Sequence, residues 1–147
     1  MRFQEYLQNT IKIANEEKEI LDELSQIEEL NKIEIRAAKS SLQTMIENAI
    51  GKAKKILKHY NCPMVPTRSK DAFIFMYEIG LIDEERFKAL SSAVGFRNSM
   101  IHDYMEFNEN VLKSILKNKK YNEVYDFLIE APDYSDVLIK RIENFSV

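Results

Sequence analysis

Apolar residues recur along this chain at helical spacing, and residues that break helices are scarce. Between Arg2 and about Leu24 the apolar positions Phe3, Tyr6, Leu7, Ile11, Ile13, Ala14, Ile20, Leu21 and Leu24 predict a first helix. Ser25, with Glu28 three residues on, fits the S-x-x-E capping pattern and predicts a second, long helix over about 26–60. Its expected buried stripe is Ile33, Ala37, Ser40, Leu42, Met45, Ile46, Ala49, Ala53, Ile56 and Leu57, with Gly51 placed where another helix passes close. Pro63 and Pro66 bar helix from the segment between Asn61 and Pro66. Thr67 or Ser69 is expected to cap a third helix with Phe73, Ile74, Met76, Tyr77 and Ile79 on its apolar face, ended by Gly80 in the left-handed position. Asp83 predicts the cap of a fourth helix, with Glu84 and Glu85 in the turn where the helix dipole favours acids. That helix turns Phe87, Leu90, Ala93, Val94 and Phe96 toward the core. Asn108 caps a fifth, interrupted at 118–120 and resumed over 121–129, and the tail from Pro132 to Val147 adds an amphipathic turn or two. No internal repeat or low-complexity linker divides residues 1–147. The pattern predicts an all-α, single-domain bundle of about five helices.

Composition narrows the class of protein without naming it. Apolar residues make up 45% and charged residues 31%, with three glycines and three prolines, which suits long uninterrupted helices. A formal net charge of −3 argues against non-specific coating of nucleic acid, although a small basic site remains open. The single cysteine, Cys62, allows no intramolecular disulfide and fits a reducing compartment. With two distant histidines it supplies no recognisable zinc ligand set. No signal-peptide pattern and no stretch of transmembrane length is present, so the expectation is a cytoplasmic protein without a membrane partner.

The candidate chemistry is concentrated in Arg97-Asn98-Ser99-Met100-Ile101-His102-Asp103-Tyr104. On an ideal helix Asn98 and His102 form an i, i+4 pair, Tyr104 returns to within about 20° of Arg97, and Arg97 and His102 stand about 140° apart. Arginine stays protonated and offers paired donors to phosphate oxygens, while histidine serves as acid or base at neutral pH. Asn98 is placed to orient the imidazole or hold a phosphate oxygen. Acid–base chemistry at a phosphate needs a base for the attacking group, a stabiliser for the charge that builds and an acid for the leaving oxygen. One chain offers one suitable histidine for two proton transfers, and a two-fold dimer would supply the other. His59 lies at the end of the second helix, where a favourable dipole interaction suffices to explain it.

The pattern Arg97-x-x-x-x-His102-x-Tyr104, within Gly95-Phe96-Arg97-Asn98-Ser99-Met100-Ile101-His102-Asp103-Tyr104, resembles the HEPN superfamily and specifically its HepT branch. Ser41 to Ile50, Pro66, Asp71-Ala72-Phe73 and Gly80-Leu81-Ile82 are similar as well, so the resemblance covers roughly residues 34–128. It implies a dimeric HEPN-like helical bundle that cleaves RNA with Arg97 and His102, supported by Asn98 and Tyr104, with no metal and no cofactor. It further implies a type VII-like toxin–antitoxin pair, in which a cognate MNT nucleotidyltransferase transfers AMP to Tyr104. The first helix and the tail after Pro132 fall outside the matched region.

Two other functions compete with a ribonuclease toxin. One is a non-catalytic module that docks a nucleotidyltransferase and presents a nucleotide or a tyrosine to it, because Arg and His bind phosphate whether or not a bond breaks. The other is a plain helical dimerisation protein, disfavoured by the polar cluster. Taken alone, an Arg and a His on one helix more often form a solvated pair or a packed histidine than a catalytic site. Tyr104 alone would most often be a half-buried interface residue. The lysines at 52, 54, 55 and 58, and at 113, 117, 119 and 120, are expected on solvated helix faces, with phosphate guidance as the alternative. Phe73, Met76, Tyr77, Phe87 and Phe96 are expected in the core.

Overall fold

The computed structural model describes residues 2–103 and 105–145. Among these there are seven α-helices and no strand: α1 (Phe3–Ser25), α2 (Lys32–His59), α3 (Asp71–Glu78), α4 (Glu84–His102), α5 (Glu109–Lys117), α6 (Asn122–Ile129) and α7 (Asp136–Glu143). The all-α expectation holds, with seven helices instead of about five. The fifth predicted helix is divided at Lys119, whose φ of 48° breaks the helical path, and the tail forms a full helix of its own.

The long helix α2 is the axis of the bundle and packs against α1, α3, α4 and α6. Its buried face runs Ala38, Ser41, Leu42, Met45, Ile46, Ala49, Ile50, Ala53, Ile56 and Leu57, joined by Lys52. Ile33 and Ser40, expected on that stripe, are exposed. Each lies about 160–180° around the helix from Leu42, on the opposite side. Gly51 marks a close approach as expected: a Cβ there would sit 3.3 Å from the Tyr6 hydroxyl on α1.

The start of α2 also differs from expectation. Ser25 is instead the last residue of α1, its hydroxyl donating to the Asp22 carbonyl at 2.6 Å, and it lies too far ahead of Lys32 to cap α2. The cap is Asn31, whose side chain accepts from the Glu34 amide at 2.8 Å while the Glu34 carboxylate accepts from the Asn31 amide at 2.8 Å. This reciprocal pair satisfies two of the backbone donors left open at a helix start.

Asp83 caps α4 and Asn108 caps α5, each accepting a backbone N–H. Gly80 takes φ 89° just past α3. A Cβ there would meet Nη1 of Arg141, which reaches from α7 to donate to the Ile79 carbonyl at 3.2 Å. With Ile142 buried and Phe145 4.1 Å from the Phe75 ring, the tail is seated on α3. No helix is long and apolar enough to cross a membrane among the described residues.

Candidate active site

Helix α4 buries Leu90, Val94 and Met100 against the bundle and ends at His102, where the Asp103 amide makes the last helical bond to the Ser99 carbonyl at 3.0 Å. Arg97 lies on the flank of this helix that faces the turn before α3. It is half-buried, and its Nη2 donates to the Ser69 hydroxyl at 2.6 Å. Its Nε is enclosed without a hydrogen-bond partner. The guanidinium is therefore fixed at one point and keeps donors in reserve.

His102 is exposed at the helix end. Arg97 and His102 are five residues apart, about 7.5 Å along the axis and about 140° around it, so one chain does not bring them into contact. Asn98 is half-buried between them in register and does not take the Arg97 bond, which goes to Ser69. The helical register extended in the sequence to Tyr104 stops at His102, because Asp103 leaves the helix at φ −108° and ψ 38°. Tyr104 lies outside the described residues.

The chain after the motif is pinned back on the bundle. Phe107 packs edge-on against Phe96 at 5.5 Å, and Nζ of Lys39 on α2 lies 4.6 Å from the Phe107 ring centre. Beside the motif Ile101 is 41% exposed and Met105 90% exposed, and a Cβ at Gly95 would meet nothing within 4 Å. On the other flank of α4 lies a groove of about 470 Å³ between Met45, Ile46, Ala93, Phe96 and Tyr121. Neither Arg97 nor His102 lines it.

His59 closes α2 and stacks on Phe3, with ring centres 3.8 Å apart and planes 7° from parallel. Tyr60 meets both rings edge-on. His59 itself stays exposed beside this contact, consistent with a structural or surface role. Among the expected core residues Phe73 and Met76 are buried, whereas Tyr77 is 37% exposed and stacks on Phe87 at 4.7 Å. The lysines at 54, 55 and 58 remain at the surface or half-exposed, but Lys52 does not: it is 2% exposed, and its expected place on a solvated face is wrong. Ser69 and Lys52 are the two polar residues whose roles the sequence did not reveal. Ser69 carried a signal only as a cap, and its bond to Arg97 crosses a fold that no spacing encodes.

The ribonuclease HepT-like family model matches residues 3–131. A solved structure of a tri-AMPylated HEPN toxin from Shewanella oneidensis, in complex with an MNT antitoxin, superposes with a TM-score of 0.74 at 20% identity. The match covers 86% of this chain and 97% of that one. A crystal structure of a toxin–antitoxin with AMP-PNP superposes with a TM-score of 0.67 at 19% identity, over 87% of this chain and 99% of that one. No curated protein matches the sequence. At these identities the two structures establish the shared helical fold.

Proposed function

The chain belongs to the ribonuclease HepT-like family, and on that premise we propose that it is the toxin of a toxin–antitoxin pair, a metal-independent RNA endonuclease acting in the cytoplasm. The observation that carries the reading is the Arg97-x4-His102 pair at the end of α4, with the cation held by Ser69 and the imidazole open to substrate. In the proposed reaction the 2′-oxygen attacks the adjacent phosphorus as its proton passes to a base. The bond to the 5′-oxygen breaks, and an acid protonates that leaving oxygen. His102 supplies one proton transfer and the His102 of a second copy supplies the other, across a homodimer that brings both motifs to one cleft. Arg97 holds the non-bridging oxygens as charge builds on them. The exposed side chains of Ile101 and Met105 beside the motif support the dimer, because a second copy could cover them.

The test is cleavage of RNA in the presence of EDTA, with a 2′,3′-cyclic phosphate left on the product. Arg97→Ala and His102→Ala are each expected to lose cleavage by at least about 100-fold while keeping helical content. Full activity in either variant removes the assignment and favours a non-catalytic module that docks a nucleotidyltransferase.

Control of the toxin is proposed to lie with an MNT-type nucleotidyltransferase antitoxin. The two toxin–antitoxin neighbours, one AMPylated and one with AMP-PNP, support a partner that handles nucleotides. The Tyr104 oxygen would attack the α-phosphorus of ATP, expelling pyrophosphate and leaving a phosphodiester. A phosphodiester added within the motif carries the charge of an RNA phosphate and would compete with substrate for the site's cation. Intact-mass spectra after incubation with the partner and ATP should gain whole adenylate additions that are absent from Tyr104→Phe. Equal modification and silencing of the Phe variant would move the acceptor elsewhere.

A further inference from the structure

Ser69 precedes Arg97 by 28 residues and belongs to no helix, yet its hydroxyl is the acceptor for Nη2. The turn that carries it is anchored at several points. Pro66 is buried, and Nζ of Lys54 on α2 donates to the Thr67 carbonyl at 2.7 Å. The Asp71 amide bonds the Arg68 carbonyl at 3.3 Å and the Ile74 amide bonds the Lys70 carbonyl at 3.0 Å. Ser69 is thus a fixed acceptor on a braced turn. An arginine stem has several rotatable bonds, so a single fixed acceptor decides which way the fork points.

The chemistry of the acceptor matters as much as its position. No carboxylate forms an ion pair with Arg97 among the described residues, so the guanidinium keeps its full charge for a phosphate. An aspartate at position 69 would fix the fork equally well but cancel that charge. A serine fixes it and stays neutral.

We propose that Ser69 is the positioning residue for Arg97, setting the guanidinium's aim at the scissile phosphate of RNA. The inference rests on the nuclease reading of the site. Ser69→Ala is expected to lower kcat about 10- to 100-fold with a smaller change in KM, because a misaimed donor costs most in the transition state. Ser69→Thr keeps the hydroxyl and is expected to restore most of the activity. Ser69→Asp is expected to fold and melt like the wild type yet bind RNA poorly.

The deciding measurement is a double-mutant cycle with Arg97→Ala, read as affinity for a single-stranded oligoribonucleotide methylated at every 2′-oxygen, which cannot be cleaved. Ser69→Ala should weaken binding when Arg97 is present and change nothing when it is absent. Equal weakening in both backgrounds, or wild-type kcat in Ser69→Ala, overturns the proposal while leaving the nuclease intact. If wild type cleaves no RNA and Arg97→Ala binds it as tightly as wild type, the nuclease reading itself fails and carries this inference with it.

Discussion

Lys52 donates from Nζ to the carbonyls of Phe127, Leu128 and Glu130 at 2.6, 3.1 and 2.6 Å. These are carbonyls at the end of α6, which lack helical partners, and the ammonium has three donors to offer them. The side chain of α2 thereby ties off α6 from inside the bundle. Replacing it with methionine keeps the apolar stem and strands those carbonyls. Lys52→Met is expected to lose about 3 kcal/mol of stability, read as a lower midpoint in urea. Burial brings the Lys52 pKa down from 10.5 to about 8, against the pull of nearby Glu130. Between those two values the unfolded chain binds the proton more readily than the folded one, so this residue's contribution rises with pH across that window. The deficit of Lys52→Met against wild type should therefore widen from pH 7 to pH 10. A flat difference would mean that the carbonyls hold the ammonium at its ordinary pKa. The burial of Lys52 was open to sequence reasoning: it lies about 80° around the helix from Leu42, whereas Lys54, Lys55 and Lys58 lie about 120–160° away. Grouping the four as one charged run hid the difference. No such arithmetic reaches the bond from Ser69 to Arg97, which exists because a turn and a helix meet in space.

Among the elements, the helices whose starts were readable are those where a capping Asp or Asn stands directly before an acidic first turn. Asp83 and Asn108 stand in that position, and both accept the expected backbone bond. The cap between α1 and α2 was expected at Ser25 with Glu28, and the structure puts it at Asn31 with Glu34. Spacing alone does not rank the two pairs. The start falls to Asn31 because α1 runs through Ser25, and a residue inside one helix does not take the non-helical backbone that caps the next. Asn31→Ala should cost about 1 kcal/mol, and Ser25→Ala should cost less, since losing its bond leaves the capping box untouched. Paired thermal melts check the order; the reverse order would place the start of α2 at Ser25. The start of α3 makes the same point from the other side. Lys70 stands at its cap position with no side-chain bond, so neither Thr67 nor Ser69 caps this helix as expected, and the Ser69 hydroxyl accepts from Arg97 instead. A weaker helix start accompanies a fixed cation in the candidate site.

At the scale of the whole molecule, periodicity announced an all-helical chain but not which helices would touch. Helix α2 meets four others, and only the folded arrangement explains why Arg97 faces a turn while His102 faces solvent. That divergence is the strongest reason to look beyond one chain. Under the proposed shared cleft, a second copy related by a two-fold axis would bring its own His102 toward the phosphate that Arg97 holds. The consequence is measurable without any structure of the dimer. If each active cleft needs His102 from both copies, a mixture of wild type and His102→Ala, co-refolded so that subunits pair at random, contains active dimers in proportion to the square of the wild-type fraction. At equal amounts the activity should fall to about a quarter of the all-wild-type value at the same total protein concentration. Chains that work independently would leave about half. A linear fall with the variant fraction would dissolve the shared cleft even if the protein is dimeric, and would require the second proton transfer to come from water or from a group on the same chain.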